Sequence, residues 1–426
     1  MKEELEARIV AKGKEFFRSI SGEAPSIFDK GWWTGKVMDW AMKHEDFKVQ
    51  LFRFVDVMPY LNTSESLSRH IREYFSGDGV EAPAVLKFGA SAAGVGGAIA
   101  GKLMGSTIRS QIEGMGRQFI IGENVKEAMK GFAKLRKDGF AFTVDLLGEA
   151  TVSEEESDAY AAGYHEVVDV IAKQYRDWKP LPGSGPHTDF DWGSSPKVNF
   201  SIKPSALYSQ AKPVDQDAAV QRIYRRLAPL YRKIRAIDGF LCIDMEQVKY
   251  HDITVALYKR LRSDPEFRDY PHLGIVLQAY LTSVQDDVEQ LIAWAKAQGL
   301  PIAIRLVKGA YWDYETLIAK QCGWPVPVWT RKPQSDMAYE KAAATILENH
   351  AWVYFSCGSH NIRTISAVME TAKSLGAPED RYEFQVLYGM GEPVRKGLLK
   401  VAGRVRLYCP YGDLIPCMAY LVRRLL

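Results

Sequence analysis

The chain reads as an α/β protein, a closed (β/α)8 barrel preceded by an all-helical N-terminal arm and helical domain. Three observations predict this. Residues 1–138 carry apolar side chains at helical spacing and almost no β-branched runs. After Gly139, short β-rich runs recur, each followed by an amphipathic stretch, the alternation that implies a parallel sheet. Polar residues then recur at or just past the ends of those runs, where a barrel collects its reactive face. The division expected is residues 1–138 for the helical arm and domain and 139–426 for the barrel.

In the first part, EELEARIVAKGKEFFRSI, FKVQLFRFVDVMPYL and SESLSRHIREYF have helical periodicity, the last opening on Ser64 as a candidate cap. The stretch FGASAAGVGGAIAGKLMG, Phe88 to Gly105, has no preceding strand and no Gly-Lys-Ser/Thr ending, so it reads as a small-residue helix rather than a phosphate loop. In the second part the strand candidates are FAFTVDLLGEA, KVNFSIKPSAL, GFLCIDMEQ, LGIVLQAYL, PIAIRLVKGA, WVYFSCGSHN, YEFQVLYGM and RVRLYCPYG. Segments such as SVQDDVEQLIAWAKAQG and IRTISAVMETAKSLGAP read as helices closing on glycine. Eight units favour a closed barrel. A doubly wound open sheet is the alternative, but no strand leads into Gly-x-Gly-x-x-Gly. The Pro/Gly-rich WKPLPGSGPHTDFDWGSSP between the first two strands reads as a surface excursion.

Composition narrows the function classes. In 426 residues, 47% are hydrophobic and 25% charged, enough for a sizeable core, and the net charge of +3 offers no basic stripe for nucleic acid. Cys242, Cys322, Cys357, Cys409 and Cys417 are odd in number and lack metal-ligand spacing, which fits reduced thiols in a cytoplasmic setting. The N-terminus resembles neither a signal nor a transit peptide, and no apolar run is long enough to span a bilayer.

In a barrel, Asp145, Glu149, Lys203, Asp244, Gln278, Arg305, Lys308, His360, Asn361, Glu392 and Tyr408 share one mouth, a mainly cationic cup. A cation such as Arg305, in IAIRLVKGAYWD, is expensive at the end of an apolar strand unless something there requires it. Lys203 or Lys308 could act as a Schiff-base nucleophile, making the chain a lyase or aldolase. Against that, Asp145 is available to Lys203, and a paired lysine stays protonated and binds anions. His360 alone makes no metal site. Arg423 and Arg424, in YLVRRLL, either form a charged helix face or hold a carboxylate through their guanidinium forks. A barrel acting as a non-catalytic scaffold also stays open at this point.

The motifs IRLVKGAYWD, SIKPSAL, FQVLYGMGEP and YLVRRL resemble the proline dehydrogenase domain of the bifunctional flavoproteins called proline utilization A. FFRSISGE, GKVMDWAM and FRFVDVMPYL resemble their N-terminal arm and helical domain, so the resemblance spans nearly the whole chain. It implies a flavin-binding (β/α)8 barrel that oxidises L-proline to Δ1-pyrroline-5-carboxylate. Hydride passes to N5 of FAD, and a membrane quinone, ubiquinone or menaquinone, reoxidises the flavin.

Position by position, the resemblance assigns Arg305 to flavin N5 and Gln278 to the pyrimidine edge. It lays Val307, Lys308, Gly309, Ala310 and Trp312 along the flavin. Thr330, Lys332, Ser335, His360 and Asn361 fall at the pyrophosphate and adenosine end. Arg423, Arg424 and Lys203 would hold the proline carboxylate, with Asp145 orienting Lys203 and Arg424 also near the cofactor. Tyr311, Leu387 and Tyr408 would pack on the pyrrolidine ring, Asp244 would stand behind Arg305, and Glu149 would pair with Arg423 as a gate. No metal is implied.

The family carries a glutamate three residues after the second arginine, and this chain ends at Leu426, just short of it. Weaker FAD retention is therefore expected. Nothing here resembles the fused aldehyde dehydrogenase half, so only the first oxidation is expected of this chain. A cytoplasmic protein with peripheral contact at the inner face of the membrane is the matching location.

Overall fold

The computed structural model describes residues 2–20, 116–181, 190–192 and 195–413, together with positions 44, 46, 49–50, 53–54, 57–61, 63–75 and 114. The glycine-alanine segment 88–105, Cys417, Arg423 and Arg424 lie outside the described residues. The chain divides into two compact units, one of Met1–Glu23 with Val125–Tyr411, the other of Ala24–Asn124 with Gly412–Leu426.

The larger unit contains the barrel. All eight runs singled out in the sequence are parallel strands: β1 (Ala141–Leu146), β4 (Asn199–Ile202), β5 (Phe240–Ile243), β6 (Leu273–Gln278), β7 (Ile302–Val307), β8 (Val353–Gly358), β9 (Tyr382–Leu387) and β10 (Val405–Tyr411). The sheet closes because β1 pairs with both β4 and β10. Alternation divides each strand between two environments. Val144, Phe200, Leu241, Ile304, Phe355 and Leu407 are fully or almost fully buried and apolar. The residues between them, including Thr143, Asn199, Ser201, Arg305, Ser356, Glu383, Gln385 and Arg406, are polar, buried, and for the most part hydrogen-bonded across the barrel.

The N-terminal helix α1 (Lys2–Ile20) belongs to this unit, and α2 (Ser64–Phe75) to the other. The cap of α2 is Thr63, whose hydroxyl accepts from Ser66 N at 3.1 Å, one residue earlier than the Ser64 expected from sequence. Next come α3 (Val125–Lys137), α4 (Glu154–Ala172), α5 (Gln216–Arg235), α6 (His251–Ser263), α7 (Val284–Gln298), α8 (Trp312–Cys322), α9 (Lys332–Glu348), α10 (Ile362–Leu375) and α11 (Glu392–Ala402). As their sequences imply, α7 and α10 close on Gly299 and Gly376. Helix α1 packs on α10 and α11. Its Phe16 is fully buried, and a Cβ at Gly397 would lie 2.4 Å from Ile20, so glycine permits that close approach.

The stretch between the first two barrel strands corrects the expectation of a surface excursion. Its described part forms a two-stranded hairpin, β2 (Phe190–Trp192) with β3 (Ser195–Pro196), in which Asp191, Trp192 and Ser195 are buried. Trp192 Nε1 donates to Tyr354 Oη (2.7 Å), Arg406 Nη2 donates to Ser195 Oγ (2.9 Å), and Arg136 pairs with Asp191 (2.9 Å). Tyr354 and Arg406 lie near the N-terminal ends of their strands, so the hairpin floors the barrel.

Candidate active site

At the opposite end, β1, β4, β5, β7 and β10 bring five of the expected residues into one network. Arg305 Nη1 donates to Ser201 Oγ (2.7 Å) and to Asp244 Oδ1 (2.9 Å), and Ser201 Oγ donates to the same carboxylate oxygen (2.9 Å). The Tyr408 hydroxyl donates to Asp244 Oδ2 at 2.7 Å. Lys203 Nζ donates to Asp145 Oδ1 at 2.7 Å and reaches Tyr408 Oη at 3.4 Å, with Asp244 Oδ2 at 3.7 Å. The Arg305 guanidinium lies 5.4 Å from the centre of the Tyr408 ring.

Burial sets the electrostatics. Desolvation alone would lower the Lys203 ammonium. The carboxylates of Asp145, Asp244 and Glu149 and the nearby Tyr160 outweigh it and hold Lys203 well above its ordinary value. Burial pushes the Asp145 carboxyl up to about 6, against the pull of Lys203. Arg305 is likewise raised, its desolvation more than offset by Cys242 and Asp244. Burial, with Asp145 and Asp244 nearby, raises the Tyr408 phenol well above its ordinary value, so it serves as a hydrogen-bond donor.

Three groups at the mouth keep unspent polar capacity, one of them the buried Asp145 Oδ2. Arg305 Nε and Nη2 are buried without a hydrogen-bond partner among the described residues, and so is Gln278 Oε1, although Gln278 Nε2 reaches Met245 O at 3.4 Å. Groups this buried ordinarily find partners. A ligand presenting acceptors to Arg305 and a donor to Gln278 would satisfy these two, and the edge of an isoalloxazine ring carries both.

The remaining expected residues distribute around this network. Lys308 forms an ion pair with Asp336, which also accepts from Lys332 at 2.7 Å, so one aspartate joins two expected cofactor residues. Gly309 has φ 130, and a Cβ there would lie 2.5 Å from the Tyr280 ring. An internal aromatic contact, then, is what keeps this turn small. Val307 is half-buried and Ala310 exposed. Trp312 is exposed at the start of α8, its Nε1 donating to Trp329 O at 2.8 Å. Thr330 is exposed, while Ser335 is buried within α9. His360 Nε2 accepts from Leu387 N at 2.8 Å, which ties two expected residues together and leaves the proton on Nδ1. Asn361 spends its side-chain oxygen capping α10 through Thr364 N at 3.0 Å. Tyr311 Oη donates to Glu149 Oε2 at 3.4 Å. Glu392 stays outside the network, exposed on α11 and paired with Lys396 at 3.0 Å.

Sequence reasoning missed Ser201, Tyr164, Glu246 and Asp336. Tyr164 donates to Ser201 O and so fixes the strand segment beneath Arg305. Ser201, in β4, lies two residues before Lys203, a spacing that could have revealed it, whereas Glu246 lies beyond the end of β5.

Comparison with known proteins bears on this geometry. The family model described as Proline dehydrogenase matches residues 128–426, and that described as Proline utilization A N-terminal domain matches residues 6–119. The chain belongs to the proline dehydrogenase family. Among relatives, it is 34% identical over 319 residues to the Bifunctional protein PutA of Klebsiella aerogenes, covering 73% of this chain and 23% of that protein. The Proline dehydrogenase of Deinococcus radiodurans is 29% identical over 325 residues, 74% of this chain and 90% of that protein. The crystal structure of proline utilization A from Bdellovibrio bacteriovorus, inactivated by N-propargylglycine, superposes with a TM-score of 0.88 at 40% identity, over 99% of this chain and 41% of that one. This family member thus spans about a quarter of the length of its bifunctional Klebsiella relative. Among its described residues, no helix is long and apolar enough to cross a membrane.

Proposed function

We propose that this chain is an FAD-dependent proline dehydrogenase. One observation carries the reading. In a chain of this family, a charged Lys203 and an Arg305 with two unpaired buried nitrogens share one barrel mouth through Asp244 and Tyr408.

Lys203, held by Asp145, binds the substrate carboxylate, and a charge-assisted bond of this kind contributes about 1.5–3 kcal/mol. Arg423 and Arg424, outside the described residues, join it there on the strength of the resemblance, Arg424 also reaching the cofactor. Tyr311, Leu387 and Tyr408 enclose the ring. Asp244 and Ser201 fix the Arg305 guanidinium so that its free nitrogens meet developing negative charge without reorganising. Arg305 and Gln278 hold the flavin ring edge, with Val307, Lys308, Gly309, Ala310 and Trp312 alongside. Thr330, Lys332, Ser335, His360 and Asn361 serve the pyrophosphate and adenosine. When bound, FAD supplies the acceptor for the hydride leaving the proline carbon beside nitrogen, and Δ1-pyrroline-5-carboxylate results.

The reading extends to a quinone as oxidant, reached by peripheral contact at the inner face of the membrane from a cytoplasmic location. It places aldehyde oxidation in a separate domain, and it takes residues 1–138 as the helical arm and domain and residues 139–426 as the barrel. A Schiff-base lyase is disfavoured, because Lys203 is paired and held protonated. The deciding experiment is an anaerobic absorption spectrum. The protein should be yellow and bleach with L-proline. A colourless protein that cannot be reconstituted with FAD would defeat the reading, and borohydride trapping of a carbonyl substrate on Lys203 would favour the lyase.

A further inference from the structure

Glu246 is 1% exposed, and among the described residues none of its contacts is a cation within ion-pair distance. A buried carboxylate in that position is costly. Both of its oxygens go to one residue. Oε2 accepts from Ser205 N at 2.9 Å, and Oε1 accepts from Ser205 Oγ at 2.5 Å. Ser205 passes the contact on, since its Oγ accepts from Ala150 N at 2.9 Å and its carbonyl accepts from Thr151 Oγ1 at 3.3 Å.

The two segments joined in this way carry site residues. Ser205 sits in the short turn Pro204–Ala206, whose cap is Lys203 and whose closing bond runs from Ala206 N to Lys203 O at 3.2 Å. Ala150 follows Glu149 and holds φ 42, a conformation that a residue with a Cβ keeps only when its surroundings enforce it. The Ser205 hydroxyl is one such constraint.

We propose that Glu246, acting through Ser205, is a positioning residue that keeps the turn bearing Lys203 and the loop bearing Glu149 in fixed relation over the substrate mouth. The assignment rests on the functional reading above. The carboxylate suits the task because only an acceptor pair can receive the Ser205 amide and hydroxyl together, leaving the hydroxyl oxygen free for Ala150. In Glu246→Leu both acceptors are lost, and the Ser205 amide and hydroxyl are left without them. Ser205→Ala removes the hydroxyl and strands Ala150 N.

Both variants are compared with the wild-type holoenzyme by steady-state kinetics and by binding of cyclopentanecarboxylate, a ring carboxylate with no amine to oxidise. We expect KM for L-proline and Kd for cyclopentanecarboxylate to rise about ten-fold, with kcat within about two-fold and the flavin spectrum unchanged. Folded variants with unchanged KM and Kd would overturn the assignment. So would loss of flavin or of folding in both variants, since the pair would then support the barrel rather than the site. A wild type that ignores L-proline overturns the functional reading and this assignment together. A wild type that oxidises L-proline beside variants of unaltered KM overturns this assignment alone.

Discussion

The two ends of the barrel each bury an arginine against a carboxylate, and they use it differently. On the floor, Arg406 Nε donates to Glu383 Oε1 (2.9 Å), Nη1 to Phe142 O (2.9 Å) and Nη2 to Ser195 Oγ (2.9 Å) and Glu383 Oε2 (3.2 Å). Glu383 accepts in addition from Tyr354 (2.9 Å) and Gln385 (2.5 Å). Every polar atom of that arginine is engaged. At the mouth, Arg305 is also buried and has a comparable partner in Asp244, yet two of its nitrogens are unspent. A fully satisfied buried pair fixes a structure, whereas donors left unspent beside an open mouth can be completed by a ligand. The difference therefore separates the end that holds the barrel together from the end that acts.

The sharpest test removes each arginine in turn. Arg406→Met leaves Glu383 buried without its cation and should cost about 3–5 kcal/mol in chemical denaturation, with much of the protein recovered as aggregate. Arg305→Met leaves Asp244 with the Lys203 ammonium at 3.7 Å as well as its bonds from Ser201 and Tyr408, so the stability loss should be only about 1–2 kcal/mol, while kcat/KM for L-proline falls by about 100-fold or more. Equal stability losses, or an Arg406→Met enzyme that folds well but is inactive, would erase the distinction.

Substituting Lys203 with methionine probes the same contrast from the substrate side. KM for L-proline should rise by about 10- to 100-fold, the equivalent of one charge-assisted hydrogen bond. The flavin spectrum should stay as it was, because Arg305 keeps its own partners. An unchanged KM would remove Lys203 from the carboxylate clamp.

The mouth was far more legible in the sequence than the floor, for a physical reason. Strand ends are marked by the switch from apolar alternation to polar residues, so pattern alone places Lys203, Asp244 and Arg305 around one opening. The floor offers no such mark. Asp191, Trp192 and Ser195 sit in a Pro/Gly-rich stretch of loop composition, and their burial depends on Arg136, Tyr354 and Arg406, distant in the chain. The glycine after β7 answers to Tyr280, a contact that no local pattern encodes. Asp336, which joins Lys308 and Lys332, lies one turn inside a helix where an aspartate reads as solvated surface.

A smaller effect is expected at Tyr408, whose hydroxyl belongs to the mouth network but whose ring would face the substrate. Tyr408→Phe removes the donor to Asp244 Oδ2 and leaves room beside the ring. The ratio of kcat/KM for L-proline over hydroxyproline should fall by about 3- to 10-fold, with little change for L-proline itself. A preserved ratio would show that the exclusion of hydroxylated substrate lies elsewhere.

The smallest effect comes from a charged cluster outside both arginine networks. His251, at the start of α6, lies 2.9 Å from Asp252 and 3.4 Å from Asp287 on α7. Burial lowers its basicity, but the two carboxylates outweigh it and raise the imidazole from 6.5 to about 9. A histidine with a raised folded-state value stabilises fully below the unfolded value and loses that contribution as pH climbs through the folded one. His251→Gln should therefore lower stability by about 1 kcal/mol at pH 6, discounted for the exposure of Asp252, and the gap to wild type should close above about pH 9. Because the cluster joins two outer helices and touches neither arginine, kcat and KM for L-proline should match wild type throughout. A gap that persists at high pH would mean that the imidazole packs rather than pairs, and a change in KM would mean that the outer helices are coupled to the mouth after all.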